Sequence, residues 1–437
     1  VNQNSLTTTV GARRSWVIGL VILLALLHVL MPSRVWVAAL ICIGGAYGLG
    51  YLWARELAKK VTISRQQYYG WAHVGDLLEE RFVLENGSWL PILFFEIDDQ
   101  SSLPGYSARS VRSADPHQTV RWRTEGICRQ RGLFSLGPWS VRSSDPFGFF
   151  SVTLRFPEAR SILVYPPVVH LPTLLLPRGT ATGSGRTSGR ANEVTPNASG
   201  VRPYVPGDSL NRVHWASTAR RSDLVVKTFD LEPSGDLWII LDLDAAVQVG
   251  EGEESTEEYA VILASSLADR MLRQNRAVGL AAYGTNPLLV DGDQTPVPTV
   301  VVPQKGKAQQ WRILQALATV RAGGNWPLAR VLQEMDRNLG QGMTLAIITA
   351  SCDPNWIAGL MSPMRRGVAP TAWLLDPVSF GGQGNVNAMA GMLADFGVAS
   401  HRIVRGQPFK PVAEHKRTGR PEYRVLGATG RVVPLEA

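Results

Sequence analysis

Two apolar runs without a formal charge, residues 16–31 and 35–53, constrain this chain more than any other feature; only Pro32, Ser33 and Arg34 separate them. At ~1.5 Å per residue, helices over these runs reach about 24 and 28 Å, each close to but short of a ~30 Å hydrocarbon core. Backbone groups in lipid must be hydrogen-bonded within the segment, so the pair predicts a transmembrane helical hairpin over 16–54. Trp16, Trp36, Tyr51 and Trp53 lie near its ends, where interfacial aromatics collect. Arg13 and Arg14 precede the hairpin, Arg55, Lys59 and Lys60 follow it, and Arg34 alone lies in the turn. The excess of positive charge outside the turn places both termini and all soluble parts in the cytoplasm, with 1–15 as a cytoplasmic N-terminus. A cleaved signal peptide is the competing reading; a second apolar run follows at once and no small-residue cleavage site separates the two. His28 and Cys42 read as packing residues.

Composition excludes several classes. Charged residues make up 18% of the 437, below the ~25% of soluble proteins, and the hairpin accounts for part of that deficit. Cys42, Cys128 and Cys352 are too far apart for a disulfide framework or a cysteine-rich zinc module. The net charge of +8 sits partly at the hairpin flanks and partly beyond residue 404, where seven basic residues face three acidic ones. With no recognition motif beside it, this charge predicts no nucleic-acid partner. The histidines form no metal-ligand pair, and no spacing suggests a Ser/His/Asp or Cys/His arrangement.

Residues 60–172 change pattern. Short strand-like runs at 80–85, 92–97, 119–123, 137–142 and 151–156, punctuated by turn clusters, predict an all-β, sandwich-like domain of antiparallel strands. Alternating Arg121, Arg123, Arg129 and Arg131 read as a solvated strand face. Residues 173–199 read as a Gly/Ser/Thr-rich linker; without Gly-Lys-Ser/Thr it is no phosphate loop. In 200–232, Asp208 is a good N-cap for a helix over 210–219, with Leu210, Val213 and Trp215 turned inward, before a strand at 224–229. Residues 233–405 alternate strands (237–241, 278–283, 344–349, 371–375, 402–404) with helices (to about 274 after the capping box Ser255-Thr256-Glu257-Glu258, then 307–320, 327–339 and 386–396), predicting a doubly wound α/β domain. Residues 406–437 form a basic, solvated tail that suits contact with anionic lipid.

The densest motif identifies a resemblance. Arg202, Tyr204, Gly207, Asp208, Trp215, Ala219 and Arg220 match the signature of the bacterial "domain of unknown function 58" family, roughly Arg-x-Tyr-x-x-Gly-Asp, then Ile/Val-x-Trp, then Ala-Arg. Upstream, Arg131-Gly132 with Gly137-Pro138, and Asp145-Pro146-Phe147-Gly148, look like a second family motif, and Asn86, Leu90 and Pro91 echo its early strand region. The resemblance implies that 233–405 is von Willebrand factor A-like and that the partner is a cytoplasmic MoxR-type AAA+ ATPase, with a transglutaminase-like membrane protein as a further associate. Two roles stand open for the signature: an internal ion-pair network of Arg202, Asp208 and Arg220 around a core of Tyr204 and Trp215, or a partner-binding surface.

Such domains often hold Mg²⁺ through Asp-x-Ser-x-Ser, a loop threonine and a later aspartate. Asp242 and Asp353 match here, but Asp244 and Ala246 replace the serines, and residues 323–327 lack the threonine. No cofactor is therefore expected, and Mg²⁺ only at a degenerate site of Asp242, Asp244 and Asp353. The expected function is a non-enzymatic scaffold or adaptor in the bacterial cytoplasmic membrane; the alternative is a metal-assisted hydrolase using those three carboxylates.

Overall fold

The computed structural model describes residues 7–67, 70–170, 198–204, 213–221, 223–229, 236–286, 297–406, 410–411, 422–426 and 431–435. The proposed linker, Gly207, Asp208 and most of the tail lie outside or largely outside these residues.

The first unit begins with a strand that the sequence does not announce. Thr7–Ala12 (β1) carries a run of β-branched threonines and pairs antiparallel with Phe150–Phe156 (β10), Ala12 opposite Phe150. Helix α1 (Trp16–Leu30) follows directly. Ser33 then caps α2 (Arg34–Lys60), accepting from the Val35 amide. Among the described residues, α2 is the helix long and apolar enough to cross a membrane, and α1 is shorter. One stripe of α2, at Trp36, Leu40, Ile43, Tyr47, Gly50, Ala54 and Leu57, is the less exposed one, the seven-residue recurrence of a single helix face. Its lower part packs on the β-rich unit: Tyr47 lies 4.8 Å, ring to ring, from Phe150, while Ala54 and Leu57 are buried in the same core as Val152 and Leu154.

Strands β2 (Val61–Gln67), β3 (Trp71–His73), β4 (Leu77–Asn86), β5 (Ile92–Asp99), β6 (Ser110–Ala114), β7 (Thr119–Ile127), β8 (Gly132–Leu136), β9 (Trp139–Ser144), β10 and β11 (Arg160–Tyr165) complete the unit. They form sheets ordered β1-β10-β9-β5-β6, β2-β4-β7 and β3-β11-β8. Every second residue of β4 is buried, including Phe82 and Leu84, and these meet Ile92, Phe95, Val141 and Val152 in a common core. That alternation is what a half-buried strand requires. A polar knot sits in it: Arg65 donates to Glu80 (2.7 and 3.0 Å) and Asp99 (2.9 Å), and Tyr106 donates its hydroxyl to Glu80. Burial, then the adjacent Glu80 charge, pushes the Tyr106 hydroxyl well above its ordinary range.

After β12 (Val169–His170), a short ribbon follows, in which β13 (Ala198–Pro203) pairs with β14 (Val225–Phe229) and α3 (Trp215–Arg221) lies between them in sequence. The described helix starts later than the expected 210. His214 acts at its head: the Ser217 amide donates to His214 Nδ1 at 3.2 Å.

The last unit is one sheet ordered β17-β16-β15-β18-β19-β20, with β15 at Leu237–Asp242, β16 at Val278–Gly284, β17 at Val297–Gln304, β18 at Thr344–Thr349, β19 at Ala369–Leu375 and β20 at Ala399–Ile403. All pairs are parallel except β16–β17. Helices cover both faces. Leu237, Ile239 and Leu241 pack with α4 (Thr256–Arg273) and α5 (Lys307–Thr319); Trp238 and Ile240 pack with α6 (Leu328–Met335), Met364 of α7 (Met361–Arg365) and α8 (Val386–Asp395). Burial on both faces explains why β15 reads as a continuous apolar run.

Candidate functional site

Two places gather the residues singled out by sequence. The first is the joint between the units. Arg131, read as part of a solvated strand face, is instead 0% exposed. Its Nε donates to Leu317 O and its Nη2 to Val320 O, both at 2.9 Å, and Nη2 reaches Glu257 at 2.6 Å. Nη1 pairs with Glu258. The guanidinium thus sits between the last carbonyls of α5 and the acidic first turn of α4. Both helix ends favour this arrangement, because a cation suits a C-terminus and carboxylates suit an N-terminus. Arg321 closes the ring, donating to Glu258 at 2.9 Å and to the Arg131 carbonyl. Gly132 belongs to the same joint: at φ 144° its missing Cβ would lie 3.2 Å from the Arg321 guanidinium.

The joint corrects the expected capping box. Ser255 does cap α4, accepting from the Glu258 amide at 3.2 Å, but the Glu258 side chain pairs with Arg131 and Arg321. Beside it, Trp311 of α5 lies 5.5 Å from Trp71 and 5.4 Å from Tyr165, ring to ring, a second contact between the units.

Asp145 of the second motif is buried at the start of a turn, accepting from the Phe147 amide (2.9 Å) and the Phe150 amide (2.6 Å). A Cβ on Gly50 would stand 2.9 Å from its Oδ2, so glycine lets α2 approach this turn. Pro146 and Phe147 are exposed, and Gly137, at φ 91°, turns the chain ahead of β9.

The second place is the carboxyl end of β15 and β18. Asp242 is buried; Thr349 Oγ1 donates to its Oδ2 at 2.5 Å and the Asp244 amide to its Oδ1 at 3.2 Å. Burial, opposed by these two hydrogen bonds, raises the Asp242 carboxyl to about 6. Asp244 accepts from the Ala246 amide (3.1 Å), and Asp353 turns to the Asn355 amide and side chain (both 3.1 Å), capping the next helical turn. Sequence reasoning missed Thr349, although a hydroxyl at a strand's carboxyl end is the signal that would have found it.

These residues do not fit the divalent-ion site. Both oxygens of Asp242 are engaged, the two serine positions carry Asp244 and Ala246, and Asp353 faces its own loop. Among the described residues, no three His, Cys, Asp or Glu side chains form a group that could hold a metal ion.

The signature is only partly described. Tyr204 is half-buried, and its amide donates to Leu224 O at 2.8 Å. Arg202 lies on β13 opposite Val226. Val213, Val225 and Val226 are buried. Trp215 is not in the core as expected: it is 67% exposed at the first position of α3, because those valines already fill the inward face. Arg220 is also exposed.

The model of a family described as "Protein of unknown function DUF58" matches residues 200–356. The uncharacterized protein YeaD of Bacillus subtilis is 26% identical over 228 residues, covering 51% of this chain and 55% of YeaD. The uncharacterized protein Rv1480 of Mycobacterium tuberculosis is 26% identical over 183 residues, covering 40% and 54%. The chain spans about half the length of the curated relatives it matches. A von Willebrand factor type A structure from Catenulispora acidiphila covers 41% of this chain and 40% of its own, at 9% identity and a TM-score of 0.27, too slight a likeness to support an argument.

Proposed function

We propose that this chain, whose residues 200–356 carry the DUF58 region, is a non-enzymatic adaptor held in the bacterial cytoplasmic membrane by the α1–α2 hairpin. Its doubly wound, von Willebrand factor A-like unit and the signature ribbon that precedes it would face the cytoplasm and engage a MoxR-type AAA+ ATPase, the partner that the resemblance implies. The observation that carries this reading is Trp215. A signature tryptophan that stands 67% exposed, with Leu224 exposed nearby, suits a partner surface better than an internal network. Tryptophan is the residue most enriched at binding hot spots. The strand-end carboxylates support the same reading, since they cap their own loops. The buried Arg131 joint would keep the α/β unit at a fixed position relative to the β-rich unit and α2.

The test is crosslinking of the full chain in native membranes with ATP, followed by pulldown. Wild type is expected to recover an AAA+ ATPase and Trp215→Ala to lose it, with thermal stability unchanged. Equal recovery by both would reject Trp215 as the contact, and no ATPase with either would reject the adaptor reading.

A further inference from the structure

The helical hairpin is shorter than the bilayer it would enter. β1 fixes the start of α1 to the sheet, and α1 has 15 residues, or roughly 22 Å. From Tyr47 onward, α2 is docked on Phe149 and Phe150, leaving residues 34–46 free, roughly 20 Å. Both fall well below a ~30 Å hydrocarbon core. Yet the charge-free run continues to Trp53; Leu49 and Leu52 are exposed there, and Tyr51, edge-on to Phe150 at 5.6 Å, is still 46% exposed. From Tyr47 to Trp53 the helix rises a further ~9 Å. If the bilayer covers that length, the end of the β-rich unit beside it must lie among the headgroups.

That end is built for such a place. The 145–149 turn presents Phe147, 46% exposed and stacked at 5.8 Å on Phe149. Arg13 and Arg14 are exposed against it, their amides donating to Phe149 O at 2.8 and 3.4 Å. Arg55 is exposed on α2 just past the charge-free run. The one acid of the turn, Asp145, is buried and held by backbone amides. An aromatic tip flanked by arginines complements an anionic membrane surface: the apolar ring can enter the headgroup–acyl boundary, and the cations are drawn to anionic lipid.

We propose that the 145–149 turn, with Arg13 and Arg14, is a second membrane contact, seating Phe147 among the headgroups of a bilayer containing anionic phospholipid. This rests on the membrane reading of the hairpin.

The test uses the full chain with Cys42→Ser and Cys352→Ser. An environment-sensitive fluorophore is placed at Phe147→Cys, and at Val378→Cys, an exposed position of the α/β unit, as control. The protein is reconstituted in phosphatidylcholine/phosphatidylglycerol vesicles, and spin-labelled lipids quench at shallow or deep positions. The expected result is resistance to carbonate extraction, a blue-shifted label at 147 that loses most of its emission to shallow quenchers only, and an unquenched label at 378. A second label at Arg14→Cys should behave like the one at 147, which covers failure of either variant to fold. Carbonate-resistant protein with 147 and 14 both unquenched would overturn this contact and leave the anchor standing. Extraction by carbonate would overturn the anchor and this contact together.

Discussion

Replacing Arg131 by methionine removes the cation and keeps most of its volume. Two buried carbonyls, Leu317 O and Val320 O, lose their donor, at about 1–3 kcal/mol for each group left unsatisfied. Glu257 and Glu258 lose their closest partner, but both are partly exposed and keep Arg321, so water and that arginine recover part of the loss. The expected destabilisation is about 3–5 kcal/mol, the usual effect of breaking a buried ion pair from one side. Arg131→Lys should rescue little, because an ammonium cannot reproduce a fork that hydrogen-bonds two carbonyls and Glu257 while pairing with Glu258. A chain of two units need not unfold in one step. The assay is therefore hydrogen exchange of the α4 and α5 amides in the full chain, beside a denaturant titration. A double-mutant cycle with Glu257→Gln should give a coupling of about 0.5–3 kcal/mol. If Arg131→Met lies within ~0.5 kcal/mol of wild type and exchange is unchanged, the joint does not hold the units together.

Other outcomes follow from the same contacts. Gly50→Val should loosen α2 from the β-rich unit and lower the melting temperature in detergent, because Asp145, held by two amides, cannot yield to a Cβ at 2.9 Å; overpacking of this kind costs about 1–3 kcal/mol. Asp242 binds its proton more tightly when folded, so its contribution to stability is present below pH 3.8 and is lost as pH rises through about 6. Asp242→Asn should flatten that part of the stability–pH curve, and an unchanged slope in pH-dependent unfolding would count against the buried acid. Trp311→Ala should destabilise the joint by less than Arg131→Met, since Trp311 is partly exposed, and a larger effect in the same titration would reverse the ranking.

What could be read from sequence was local. β15, β18 and α4 follow from apolar runs and a capping serine, and the charge-free runs coincide with α1 and most of α2. The joint was hidden because Arg131 shares the spacing of the exposed Arg121, Arg123 and Arg129, while its partners Glu257 and Leu317 lie 126 and 186 residues away. No local pattern separates one buried arginine from three solvated ones. The docking of α2 was masked differently: Tyr47, Gly50, Ala54 and Leu57 recur on one face, but in a segment apolar all round no face stands out. Trp215 was misplaced because an aromatic at helical spacing reads as core unless the residues filling that core are already known.

Helix α2 is at once the long apolar helix of the described residues and a wall of the β-rich core, with no linker between those roles. Joined through Arg131 to the α/β unit, it makes the protein resemble a bracket more than a tethered ball. Load applied to the α/β unit at the Arg131 joint would then arrive at α2 as torque, with no swivel at the foot of that helix to damp it.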